Sequence, residues 1–232
     1  MRQRGLFVMM LFLLLAAPSA WAGIYYEQEM KMPPPTGVVK VVCYISGPKL
    51  RVESTVQGTE TITIQRFDTG MTYSLMPAQK MCMEMRIPEP SPQKEAQTKV
   101  TVTKTDQTKK VGKYNCTRYD VTVNDQTVTY WMTQDVDLGK ELDDLWQGVA
   151  RGQSAKLAQE MAKLKGFPMM TEMVTPQGTM TMTVTTVEKK DIPDSMFEVP
   201  ADYEKMSMPG AAGGLDEAAR RSAGTLAAAI FL

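Results

Sequence analysis

From Ile24 onward, apolar and polar side chains alternate in short runs separated by turn residues. A period of two marks strands with one buried and one wet face, and breaks this short suit antiparallel neighbours, because parallel strands need long crossovers. The pattern predicts strands over 24–32, 38–46, 50–56 and 60–68, with breaks at Pro33-Pro34-Pro35, Gly47-Pro48, Gln57-Gly58 and Thr69-Gly70. The stretch 71–85, MTYSLMPAQKMCMEM, reads as two short strands around Met76-Pro77-Ala78-Gln79. Parity groups Met71, Tyr73, Leu75, Met81, Met83 and Met85 on one apolar, thioether-rich face, and Thr72, Ser74, Lys80, Cys82 and Glu84 on the other. Leu50, Val52, Ile62 and Ile64 are the expected inward side chains of the preceding strands.

Pro88, Pro90 and Pro92 interrupt strand formation, since proline cannot donate to a ladder. Strands resume over 98–105, 114–123 and 127–133. The last two form a hairpin about Asn124-Asp125, with Tyr119, Val121, Val123, Val128, Tyr130 and Met132 on its apolar face. Between 135 and 165 the period changes. Leu138, Leu142, Leu145, Trp146 and Val149, then Leu157, Met161 and Leu164, recur at helical spacing, with Gly148 and Gly152 between the two sets and Ser154 as N-cap. Strands return over 167–175 and 179–187, where Met180, Met182 and Val184 share a face opposite threonines. The expected fold is mainly β (α+β): an antiparallel sheet of about ten strands with two short inserted helices.

A twisted sheet of this many strands tends to curl. Its apolar face exceeds the few hundred Å² that soluble monomers usually expose, and two helices ~15–18 Å long cover only part of it. The remainder packs on itself as a filled barrel, meets another chain, or encloses an apolar ligand. The expected ligand lining is Leu50, Val52, Ile62, Ile64, Met71, Tyr73, Leu75, Met81, Met83 and Met85, with Trp146 reaching in from the helical lid. The chain holds 20 methionines and only 7% aromatics, and flexible, polarizable thioethers suit both core gap-filling and surfaces that adapt to varied ligands.

Residues 1–22 have the layout of a cleaved export signal: Arg2 and Arg4, an apolar run, then Ala20-Trp21-Ala22. The apolar run is short of the ~20 residues of a spanning helix, so a soluble periplasmic or secreted chain beginning at Gly23 is expected, rather than an anchored one. Cleavage removes two of 26 basic residues against 26 acidic ones, leaving a slightly acidic chain with no general attraction for nucleic acid. The domain is expected over 23–205. A Gly-, Ala- and Pro-rich tail follows over 206–232 and ends in LAAAIFL, read as a frayed terminus or an apolar docking peptide.

There is no histidine, so Ser–His and Cys–His pairs and an imidazole base are ruled out, and no nucleophile elbow, phosphate loop or zincin motif occurs. A non-enzymatic protein without a cofactor is expected. Of Cys43, Cys82 and Cys116, parity places Cys43 on an apolar face and the other two on polar faces, so Cys82–Cys116 is the parity-compatible bridge if one forms. Asn115-Cys116-Thr117 matches a glycosylation sequon but falls inside a strand. Met81, Cys82, Met83 and Met85 are the ligand types that select Cu(I), although Cys82 faces away from the three methionines.

Several segments together resemble a bacterial family of exported domains of unknown function (DUF4412-like), related to the periplasmic outer-membrane lipoprotein carriers. They are Gly47-Pro48-Lys49-Leu50-Arg51-Val52-Glu53, Tyr73 to Lys80 with Glu84-Met85, Tyr114-Asn115-Cys116-Thr117-Arg118-Tyr119, Tyr130-Trp131-Met132-Thr133, Lys165-Gly166-Phe167-Pro168, and Phe197 to Tyr203. The departures are Lys113, where the family has glycine, and Cys82, where Tyr or Thr is usual. The resemblance implies a half-open β-barrel with a helical lid. It implies the fold more than the cargo. The function expected from the uncovered apolar face is the binding of a lipid, acyl chain or other apolar molecule. The alternative, which related half-barrels suggest, is a module that senses envelope stress or contacts an envelope protein. The resemblance supplies no catalytic residues.

Overall fold

A computed structural model describes residues 22–34, 37–87, 98–144 and 155–207. Twelve strands form one sheet: β1 (Ala22–Lys31), β2 (Val38–Ser46), β3 (Lys49–Val56), β4 (Thr59–Arg66), β5 (Met71–Met76), β6 (Met81–Arg86), β7 (Val100–Val111), β8 (Tyr114–Val123), β9 (Gln126–Thr133), β10 (Phe167–Thr175), β11 (Gly178–Asp191) and β12 (Glu204–Ser207). Helix α1 is described over residues 140–144, and α2 spans Ala155–Met161. The spatial order is β12-β6-β5-β4-β3-β2-β1-β11-β10-β9-β8-β7. Every pairing is antiparallel except β12 with β6. The sheet is open, with β7 and β12 as its edges, and it forms a half-open barrel. The expected fold class holds, with twelve strands in place of about ten; β12 includes Met206 and Ser207, which were expected in the tail.

The apolar side of this sheet changes over between β3 and β4. From β7 to β3 most of the buried apolar residues share one face, here termed the broad face. Ile24, Tyr26 and Met30 of β1 stand beside Ile45, Cys43 and Val39 of β2, and Cys43 and Ile45 stand beside Val52 and Leu50 of β3. The β3–β4 turn leaves Val56 opposite Thr59, with two residues between them, Gln57 and Gly58, both at positive φ as such tight hairpins require. A two-residue turn pairs even positions with odd ones, so Val52 stands beside Thr63, while Ile62 and Ile64 stand beside Glu53 and Arg51 on the reverse face.

The same parity rule corrects the expected face of the β5–β6 hairpin. Four residues separate Met76 from its partner Met81, so Leu75 lies beside Cys82, and Ser74 beside Met83. Met81, Met83 and Met85 therefore lie on the opposite face from Tyr73 and Leu75. Cys82 is not on a polar face; it is fully buried.

The reverse-face patch of Ile62, Ile64, Leu75 and Cys82 is covered by the chain's own strap, residues 192–203, which leaves β11 and crosses the sheet to the far edge. Ile192 and Phe197 complete this cluster, with Tyr44, Tyr73, Met196, Val199 and Tyr203 packed around it. The strap is tied along its length. Lys49 pairs with Asp194 at 2.7 Å, Arg51 donates to the Met196 carbonyl at 3.0 Å, and Lys80 pairs with Asp202 at 2.8 Å. The Glu204 amide then donates to the Lys80 carbonyl at 2.8 Å and starts β12.

Candidate functional site

The broad face carries the larger apolar interior. One buried cluster runs from Leu50 and Val52 through Met30, Met169, Met180 and Met182 to Phe167, with Leu138 and Leu142 of the α1 region packed on it. A second joins Val100, Tyr119, Val121, Val128, Tyr130 and Met132 to Leu157, Met161 and Leu164. Helix α2 thus lies over β7–β9, and the Glu160 carboxylate accepts the Val102 amide at 3.3 Å where the helix meets the edge strand. The sequence reading of Leu157, Met161 and Leu164 as a covering face agrees with this. Leu145, Trp146, Gly148, Val149, Gly152 and Ser154 lie outside the described residues, as do the expected export signal up to residue 21, the prolines at 88, 90 and 92, and the chain from 208.

Two polar side chains sit inside this thioether-rich interior without hydrogen-bond partners among the described residues: Gln28 through Nε2 and Tyr130 through its hydroxyl. Gln28 stands between Val41 and Val184, in phase with Tyr26 and Met30. Tyr130 stands between Tyr119 and Thr171, beneath the α2 cluster, and is wholly buried. Burial raises its phenol far above the usual range, so it stays a neutral donor at any physiological pH. An unpaired buried polar group costs ~1–3 kcal/mol, and such atoms are the natural contacts for a polar end of an occupant.

The residues expected to line one ligand face are divided. Leu50 and Val52 belong to the broad-face core. Ile62, Ile64 and Leu75 belong to the reverse-face core, with Tyr73 packed against it under the strap, so the chain itself occupies that position. Met71 is the register partner of Arg86 on the Tyr73 face. Met81, Met83 and Met85 are half-buried on the broad side. Periodicity did not single out Gln28 or the strap, and it marked Tyr130 only as an apolar-face residue. Gln28 had a legible signal, a polar residue in the apolar phase of Ile24, Tyr26 and Met30, whereas the strap had none.

The thiols form no bridge. Cys43, Cys82 and Cys116 are all free and buried, so Cys82–Cys116 is not formed, and Cys116, like Cys82, is not solvent-facing. Cys82 lies in the reverse-face core and Cys116 in the main core, on different packing units. Burial pushes the Cys43 thiol up to about 12, opposed by its hydrogen bond with Tyr26. Among the described residues, no cluster of three or more His, Cys, Asp or Glu side chains is placed to hold a metal ion, and no helix is long and apolar enough to cross a membrane.

A search of curated proteins gives no significant match. Among solved structures, an uncharacterized conserved protein from Thermus thermophilus is similar with a TM-score of 0.51 at 7% identity, over 82% of this chain and 92% of that one. At that identity the likeness is one of fold alone. PNGF-II is similar with a TM-score of 0.43 at 12% identity, over 81% of this chain; the match spans only 31% of the PNGF-II chain. A LolA superfamily protein from Nitrosomonas europaea is similar with a TM-score of 0.34 at 9% identity, over 78% of this chain and 91% of that one. The profile of the family described as a domain of unknown function (DUF4412) matches residues 27–203, which takes in β2 to β11 whole and half of β1, together with the helices and the strap. The chain belongs to the DUF4412 family.

Proposed function

We propose that this is an exported, non-enzymatic domain that binds a lipid, acyl chain or other apolar molecule on the broad face, beneath the α1 and α2 helices. The observation that carries the reading is the pair of unpartnered buried atoms on this face: Gln28 Nε2, beside Met30 in the strand that lines the cluster of Met169, Met180 and Met182, and the Tyr130 hydroxyl, in the adjoining cluster with Met132 and Met161. Thioethers shift rotamers easily, so the lining adapts to a chain that enters when α2 moves aside. The polar atoms supply donors for a carbonyl or carboxylate. Burying an acyl chain contributes ~0.8 kcal/mol per CH₂. Ten carbons thus give ~8 kcal/mol before ordering and association costs, leaving micromolar affinity or weaker.

Native mass spectrometry of the exported protein, followed by lipid extraction, tests this. An apolar adduct is expected, and Gln28→Leu/Tyr130→Phe should lose it while melting no lower than wild type, because the substitution removes two unpaired polar groups. Empty protein that also leaves the fluorescence of an added fatty-acid probe unchanged refutes the reading. A second reading, contact with an envelope protein, is favoured by one observation: the outer edge of the twelve-residue β7 pairs with no described strand, and such edges accept a partner's strand. Its mark would be a stable partner in pull-downs, lost when proline replaces an outward-facing β7 residue.

A further inference from the structure

The register gathers methionines at the β12 edge into a patch that no apolar core absorbs. Met76 of β5 is the direct partner of Met81 of β6, and Met206 of β12 is the direct partner of Met83. Met81 and Met83 are two residues apart on one strand, so all four side chains rise from the same side of the sheet. Met76, Met81 and Met83 are half-buried and Met206 is exposed, and none of the four belongs to the three buried apolar clusters of the described residues. Apolar side chains kept together at an edge without joining a core suggest a use for their sulfur atoms.

We propose that the patch of Met76, Met81, Met83 and Met206 binds a soft monovalent metal ion, Cu(I), through Met81, Met83 and one of the two flanking methionines. Direct ladder partners hold their Cβ atoms ~4.5–5.5 Å apart, and alternate residues on one strand stand ~6.5–7 Å apart. Each thioether hangs on three rotatable bonds, so three sulfurs, those of Met81 and Met83 with Met76 or Met206, can converge on one ion above the sheet without backbone movement. Thioether donors select Cu(I) over harder ions, because soft ligands prefer soft metals. Glu204, the register partner of Met81, is exposed beside the patch and supplies a negative charge that favours a cation. Cys82, between Met81 and Met83 in sequence, points to the other face and is sealed in the reverse core, so it takes no part. The site is separate from the proposed ligand interior, and neither depends on the other.

The test is a titration of the exported full chain with Ag(I), a redox-inert analogue, and with Cu(I) under anaerobic conditions, read by native mass and by NMR of methionine methyl groups labelled with ¹³C. One equivalent is expected to bind, shifting the methyl resonances of Met81, Met83 and at least one of Met76 and Met206 and leaving those of core residues such as Met30 and Met182 in place. Met81→Leu/Met83→Leu, which preserves volume, should weaken binding at least a hundredfold, while Cys82→Ser should leave it unchanged. No bound equivalent overturns the proposal. So does binding that shifts none of the four methyl resonances, since the metal is then held elsewhere; this readout needs no variant to fold.

Discussion

Phe197→Ala tests whether the strap holds the far half of the sheet together. Phe197 is 1% exposed and packs with Ile62, Ile64, Leu75, Cys82 and Ile192, while the Lys49 ammonium lies 5.9 Å from its ring centroid. A buried phenylalanine removes ~150–250 Å² from water, which at ~25 cal/mol per Å² is ~4–6 kcal/mol. Measured truncations of buried Phe cost ~3–5 kcal/mol once the cavity is counted. Against a total stability of ~5–15 kcal/mol for a domain, that loss is large. It should also be felt unevenly, because the Phe197 ring, together with Ile192, is the buried part of the strap that joins residues 192–203 to the apolar side chains of β4–β6. With the strap loosened, β12 loses its anchor and the outer edge of β6 is freed. Urea denaturation should show a lower midpoint at an unchanged slope. Hydrogen exchange should show amides 204–207 opening well before those of β1, β2 and β11. A loss below ~1 kcal/mol together with unchanged exchange at 204–207 would show that the strap merely rests on the surface, and would refute the reasoning.

The change of apolar face makes a paired prediction: Ile64→Glu, which buries a charge in the strap-covered core, should unfold the protein or cost more than ~4 kcal/mol, whereas Met83→Glu on the half-buried side should cost roughly 1 kcal/mol; equal melting losses would mean the register is wrong. All three thiols should resist alkylation in the native protein and react once it is denatured, as a mass count of adducts would show. Because the folded Cys43 thiol titrates near 12 rather than 9.0, its contribution to stability is fully present below pH 9 and is lost as pH rises toward 12. The stability gap between wild type and Cys43→Ala should therefore narrow by roughly 1.4 kcal/mol per pH unit in that window, and parallel pH curves would contradict the assignment. Gly166→Ala should cost at least ~2 kcal/mol by thermal melting, because residue 166 has φ +93° and an added Cβ would collide with the Thr133 carbonyl; a near-neutral result would mean that this junction relaxes freely.

Much of the local structure is legible from periodicity. The strands expected over 38–46, 114–123 and 167–175 coincide with β2, β8 and β10, and the apolar phase of Met180, Met182 and Val184 is the buried phase of β11. Alternation within a strand is set by the backbone itself, so the sequence determines it without reference to distant residues. The helical spacing of Leu157, Met161 and Leu164 likewise identifies the side of the α2 segment that meets the sheet. What the sequence leaves open is how faces join from one strand to the next. Period two says which residues of β4 go together, and only the number of turn residues says whether they join Leu50 and Val52 or oppose them. The two-residue turn at Gln57-Gly58 and the four-residue connection after Met76 both pair odd with even positions, which divides the expected lining between two faces. The covering of the second face depends on Phe197 meeting Ile62 and Ile64, more than 130 residues earlier in the chain. No local pattern encodes a contact of that span; it arises because an apolar patch left on the wrong side of an open sheet must be removed from water, and the segment leaving β11 is the one that passes over it.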